Sequence, residues 1–263
     1  MNHMRFFNYL LTSFPLIHQI LTIYNQKKMA ENQQPECDIN KTQEVLNLFQ
    51  IPREKRGDEW IQKFHEDVKT ASFASTTPQT TTGPDRFPYF VLNTPEPNQP
   101  FTSFCISNLT EYLIQNGLGV VINPVEGDVD WVFSYGDILN LYLRGEFLTN
   151  ENKLPEYGTE KIEKDDQILV AQPSEEYLPR VTRDILKSFL IYTGVTNPKI
   201  MMFIQKRDGQ SYQQLAFNVH PEDFESNEDL NFRLQQISWF LPRHYIVSAF
   251  PKSSNLVNNL TDL

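Results

Sequence analysis

The chain has 263 residues, with 23 Lys and Arg against 33 Asp and Glu and a formal net charge of −10. A hydrophobic content of 40%, with 13% aromatics, excludes a wholly disordered chain. The acidic balance argues against gripping a phosphate backbone, which needs clustered Lys and Arg, so nucleic acid is not an expected partner. Two cysteines, Cys37 and Cys105, are too few for the disulfide framework of a small secreted domain, and the expected compartment is the reducing cytoplasm.

Phe6 to Tyr24 is apolar but interrupted by Asn8, Pro15, His18 and Gln19, and it is flanked by Arg5 and by Lys27 with Lys28. That order is not the one of a cleavable signal peptide. Residues 1–28 hold three basic and no acidic residues, unlike the acidic remainder, and Met29 opens a polar stretch. The expectation is a leader and disordered N-terminus over 1–39, with the true start at Met29 and no membrane association. The alternative is an N-terminal anchor with Lys27 and Lys28 on the cytoplasmic side.

Val45, Leu46, Leu48 and Phe49 predict a helix over 40–50 that ends before Pro52, and Trp60, Ile61, Phe64 and Val68 predict another over 58–70. The intervening Arg53, Glu54, Lys55, Arg56 and Gly57 read as a solvated charged turn. The Ser- and Thr-rich stretch 75–83 is expected to be a loop. Strands are expected at 88–92 and 101–104, followed by a helix from a Ser107 cap to Gln115, with Asn116 and Gly117 as its stop. Gly119 to Ile122 reads as a buried strand, Trp131 to Phe133 as its hairpin partner, and Ser134 with Asp137 as a capping-box start for a helix to Leu143. Residues 151–173 lack an apolar period and are expected to form an acidic connector.

Beyond Pro173 the periodicity predicts a helix over 179–192 and a strand over 199–206, then a turn at Arg207, Asp208 and Gly209. The return strand carries Leu215, Phe217 and Val219. A helix over 227–240, with Leu230, Leu234, Ile237 and Leu241 on one face, precedes a strand over 245–250 and a tail over 252–263. The fold class is α+β: two small mixed α/β-sheet domains, 40–150 and 174–251, joined by the connector.

Each candidate for chemistry has a plainer reading. His3 and His18 fall in the leader, and His65 lacks the second imidazole at the H-E-x-x-H spacing and is expected on a surface. His220, Glu222 and Asp223 fit a turn, and His244 follows Arg243 at the entrance to the last strand. Glu126, Asp128 and Asp130 alternate but lack the further oxygen ligands of a calcium loop. Cys105 sits in an apolar setting that suits burial. Ser134 is not in a G-x-S-x-G elbow, and Gly117 with Gly119 is a lone G-x-G. No catalytic, cofactor-binding or metal-ligating residue is assigned and no cofactor is expected; the acidic and imidazole groups are expected to be spread over the exterior.

Pro100-Phe101-Thr102-Ser103, then a helix, then Gly119 to Pro124 with its Ile-Asn-Pro turn and the helix beginning near Tyr135, resembles the N-terminal domain of the SseB family, named for enhanced serine sensitivity. The helix, hairpin, helix and strand order over 174–250 resembles that family's C-terminal domain. The Ser- and Thr-rich loop, the acidic connector and the leader depart from it. The resemblance implies a noncatalytic cytoplasmic protein, not an enzyme, that binds a protein or small molecule. The alternatives are a hydrolase or transferase whose site is assembled from distant residues, such as 126–130 meeting Arg243 and His244, and an immunity-type protein whose acidic charge steers a basic partner.

Overall fold

The fold comes from a computed structural model that describes residues 36–125, 128–149, 157–159, 167–207 and 210–263. The expected leader lies outside the described residues except at its end, 36–39, and so do Glu126 and the Asp208-Gly209 turn. The fold is α+β, with six α-helices and two mixed sheets among the described residues.

Helix α1 covers Ile39–Phe49 and is capped by Asp38, whose Oδ1 accepts from the Asn40 amide at 2.8 Å. A 3₁₀ turn at Arg53–Lys55 leads into α2, Asp58–Val68, which buries Trp60, Phe64 and Val68 as their spacing predicts. The expected loop at 75–83 contains a short strand, β1 (Thr80–Thr82), paired antiparallel with β2 (Pro88–Leu92). Threonine's branched Cβ suits such an edge position, so polarity alone was a poor guide there. The strand expected at 101–104 is reduced to one bridge between Phe104 and Phe73.

Helix α3 (Ile106–Asn116) starts one residue before the expected Ser107 cap, with Cys105 in that role, and ends at Gly117 in the left-handed region, φ 66°. Strand β3 (Gly119–Ile122) then lies parallel to β2, and β4 (Trp131–Phe133) returns antiparallel to β3. In the order β1-β2-β3-β4, β2 and β3 are central, and both their faces are covered. This explains their unbroken apolar runs. Helix α4 (Tyr135–Arg144) begins with the predicted capping box: Ser134 Oγ accepts from the Asp137 amide and Asp137 accepts from the Ser134 amide.

The expected connector instead supplies strands β5 (Tyr157–Thr159) and β6 (Gln167–Ala171). Helix α5 (Arg180–Tyr192), the antiparallel pair β7 (Lys199–Arg207) and β8 (Gln210–Phe217), helix α6 (Asn227–Ser238) and strand β9 (Ile246–Ala249) follow the predicted order. The expected tail adds β10 (Thr261–Asp262), antiparallel to β7, and Leu260 and Leu263 are buried. The second sheet runs β10-β7-β8-β9-β5, with β6 also on β7.

Although the two sheets fall on either side of the expected connector, the core does not divide there. Cys37–Leu263 forms one compact unit, and one cluster of buried apolar residues extends from Val45 to Leu263. Phe87 stacks on Trp239 at 4.1 Å, and the Tyr135 and Thr182 hydroxyls are 2.9 Å apart. The physical reason is surface economy: aromatic faces left over from each sheet bury one another. A smaller cluster of Met201, Phe203, Ala216, Phe250 and Leu260 lies apart from it.

Cys37 and Cys105, read from the sequence as thiols in a reducing compartment, form a disulfide that joins the N-terminal ends of α1 and α3. Among the described residues, no helix is long and apolar enough to cross a membrane.

Candidate functional site

A groove of about 490 Å³ is lined by Arg53, Arg56, Trp60, Ile61, Val129–Val132 and Arg243. Its first wall is the start of α2. Pro52 ends α1's reach, and the following turn brings Arg56 back over Trp60, 4.7 Å from the ring centroid. The guanidinium is fixed from behind: Nε donates to the Ile51 carbonyl at 2.9 Å and Nη2 to the Phe49 carbonyl at 3.1 Å. Trp60 is anchored by donation from Nε1 to the Leu48 carbonyl at 2.9 Å. Among the described residues Arg56 has no ion-pair partner, so its charge is balanced only by carbonyl dipoles and an indole face.

The second wall is β4 and the residues before it. Trp131 packs on Trp60 and Phe64 with centroids 5.4 and 4.7 Å apart. Asp130 Oδ2 accepts from Asn123 Nδ2 at 2.7 Å, while Asn123 Oδ1 accepts from the Thr94 amide, so Asn123 ties β4's entrance to the segment after β2. Arg53 donates to Asp128 at 2.6 Å and to the Val129 carbonyl. The Val129 amide and then Arg53 hold the Asp128 carboxyl below its usual range.

Arg243 forms the third wall. Its Nε and Nη2 donate to the two oxygens of Asp137 at 2.7 and 2.8 Å. Asp137 is a core carboxylate with 1% of its side chain exposed, whereas Arg243 keeps 36% exposed and reaches the groove. Burial works against the Arg243 charge, but the Asp137 bonds outweigh it and its pKa stands above the usual value. Two of the five guanidinium N–H bonds go to Asp137, which leaves a donor edge for another acceptor.

His65, expected on a surface, is instead packed among rings, with centroids of Phe64, Trp131, Phe133 and Phe147 between 5.4 and 5.9 Å away. Burial lowers its pKa to about 4; the Asp137 charge opposes this and Arg243 and Lys69 reinforce it. The expected exterior spread of ionisable groups therefore fails at Asp137, His65 and His220. His220 is buried, with Nδ1 2.8 Å from the Phe250 carbonyl. Its neighbours complete a latch: Glu222 accepts from the Lys252 amide, and Asp223 pairs with Lys252 Nζ at 2.5 Å. That latch does not line the groove.

The other candidates serve structure. Cys105 is in the disulfide, Ser134 caps α4, and Gly117 ends α3, while a Cβ on Gly119 would meet the Phe133 carbonyl at 2.5 Å. His244 packs edge-on against Tyr245. Asp130 and Arg243 line the same groove, and Glu126 lies outside the described residues. Among the described residues no group of three or more His, Cys, Asp or Glu is placed to hold a metal ion. Sequence reading passed over Arg53 and Arg56 as a solvated turn and Trp60 as core. The available signal was the four-residue spacing from Arg56 to Trp60, which puts a cation over an indole at a helix start.

The chain matches no family model, no curated protein and no solved structure.

Proposed function

We propose that the chain is a noncatalytic binding protein whose site is the groove between α2, β4 and Arg243, and that its ligand carries a single carboxylate beside an apolar group. The observation that carries the reading is the pairing of Arg56, which lacks a carboxylate partner among the described residues, with the donor edge that Arg243 keeps beside Trp60 and Trp131. A concave site of this size with apolar walls and a few directed polar groups suits a small ligand or a short segment of a protein. The net charge of −10 suggested a basic partner, but the groove has the opposite sign: three arginines and one aspartate line it. The resemblance to SseB rests on the quoted residues and element order, and it enters here as support for a binding role. The disulfide favours an oxidising compartment over the cytoplasm.

N-acetyl-leucine and its neutral amide test this reading through the fluorescence of Trp60 and Trp131. The acid should bind saturably, and the amide and the Arg53→Gln variant about tenfold more weakly. Equal binding of acid and amide, or none, overturns it. A second reading, a hydrolase or transferase, draws on Asp130 and Arg243 sharing the groove. Turnover of an ester or phosphoester by the purified protein, lost in Asp130→Asn, would establish that reading instead.

A further inference from the structure

We infer that the groove receives an extended peptide, which adds to β4 as a fifth strand of the first sheet and places one carboxylate on Arg56 and Arg53. The inference rests on the binding reading above and names its ligand class.

The argument starts from parity. Successive side chains of a strand point to opposite faces of its sheet, so a pocket on one face would be lined by alternate residues. Here Val129, Asp130, Trp131 and Val132 all line one groove. A concavity that meets both parities runs along the strand's edge. β4 is the terminal strand of the order β1-β2-β3-β4, and among the described residues no strand pairs with it on its outer side. Alternate amides and carbonyls of that side therefore face the groove, and such a row is a template for a further strand.

Flanking side chains supply the means of selection. Trp131 packs against Trp60 on one face of β4, with Arg56 over Trp60, so a carboxylate on that face of the added strand meets a guanidinium that no carboxylate already holds. Arg53 is 61% exposed and bound to an Asp128 that is 72% exposed, a pair that solvent screens and that an incoming carboxylate can replace. Val132, 37% exposed, faces the other side and suits an apolar neighbour. The recognised pattern is an alternating segment with one Glu or Asp between β-branched residues.

The probe is the acetylated, amidated pentapeptide Thr-Val-Glu-Val-Thr. Its affinity for the full chain is measured by calorimetry, beside two versions N-methylated at alternate backbone nitrogens, one for each parity, and N-acetyl-glutamate amide. An added strand turns only one parity of amides toward β4, so one methylated series should bind about tenfold or more weakly and the other nearly as well as the parent. Amide exchange should slow on binding within residues 129–133, and Arg53→Gln should weaken the peptide by about threefold to tenfold. If both methylated series bind like the parent, the strand inference fails while the carboxylate reading survives through N-acetyl-glutamate amide. If neither peptide nor N-acetyl-glutamate amide binds, both fail. A self-association seen by sedimentation that excess peptide does not dissolve would assign the edge to a second copy of the chain and overturn the inference.

Discussion

Asp137 and Arg243 face each other as a two-point ion pair, 2.7 and 2.8 Å across, in which the carboxylate is almost wholly buried and the guanidinium is not. The same carboxylate accepts from the Ser134 amide at 3.0 Å, so it completes the cap of α4 while it fixes the arginine at the groove. Arg243→Met should therefore strand a core carboxylate and destabilise the fold by roughly 3 kcal/mol, within the range for breaking a buried pair. Asp137→Asn, which keeps the cap acceptor and removes the charge, should cost less. Urea unfolding of the two variants checks the order; a smaller loss for Arg243→Met than for Asp137→Asn would contradict the arrangement.

The packing of His65 predicts a pH dependence. Its folded pKa, about 4, lies below the ordinary value of 6.5, so between these limits the unfolded chain binds the extra proton. Stability from this group is complete above about pH 6.5 and is lost progressively as pH falls toward 4. His65→Phe retains a ring among Phe64, Trp131, Phe133 and Phe147 and removes the titration. Thermal midpoints at several pH values across this window should fall less steeply on acidification in the variant than in the parent.

Much of the fold was legible because local rules and burial agree. Ser134 and Asp137 announce α4 through their spacing, Gly117 stops α3, and Leu230, Leu234 and Ile237 mark the buried face of α6. The elements that were missed are short strands whose partners are distant in sequence: Thr80–Thr82 joins an edge, Gln167–Ala171 pairs with β7, and Thr261–Asp262 closes the second sheet beside Ile200. Such segments take their conformation from a neighbour's ladder more than from their own pattern. The groove was hidden for a related reason. Arg56 and Arg243 are separated by most of the chain, and nothing local to Arg243 reveals that its carboxylate partner is the cap residue Asp137. The continuous core was equally invisible, since Phe87 and Trp239 each read as belonging to its own half.

Gly136, the second residue of α4, marks a close approach that only a hydrogen can occupy. A Cβ there would lie 1.9 Å from the Leu241 carbonyl oxygen, and the Gly136 amide donates to the Trp239 carbonyl at 2.9 Å. Gly136→Ala gains helix propensity but must push α4 away from the 239–241 backbone, which also carries the approach to Arg243. The expected loss is at or beyond the upper end of the roughly 1–3 kcal/mol typical of overpacking. Because Asp137 moves with α4, the Arg53→Gln variant should keep the wild-type thermal midpoint while Gly136→Ala lowers it; equal midpoints for Gly136→Ala and the parent would refute the contact.

The disulfide supplies the last prediction. Cys37 precedes α1 and Cys105 precedes α3, 68 residues apart, so the bond closes a loop that contains α1, α2 and the first two strands. In the chain-entropy treatment, a loop of that length stabilises the folded state by about 4 kcal/mol through restriction of the unfolded chain. Cys37→Ser and Cys105→Ser should each remove this contribution, with the second also disturbing a fully buried site at the start of α3. The intact protein should gain two mass units on reduction after unfolding and should resist thiol alkylation before it, while urea midpoints of the parent with reductant should approach that of Cys37→Ser. Immediate alkylation of both thiols in the freshly isolated, unfolded chain, with no mass change on reduction, would show that they are not joined.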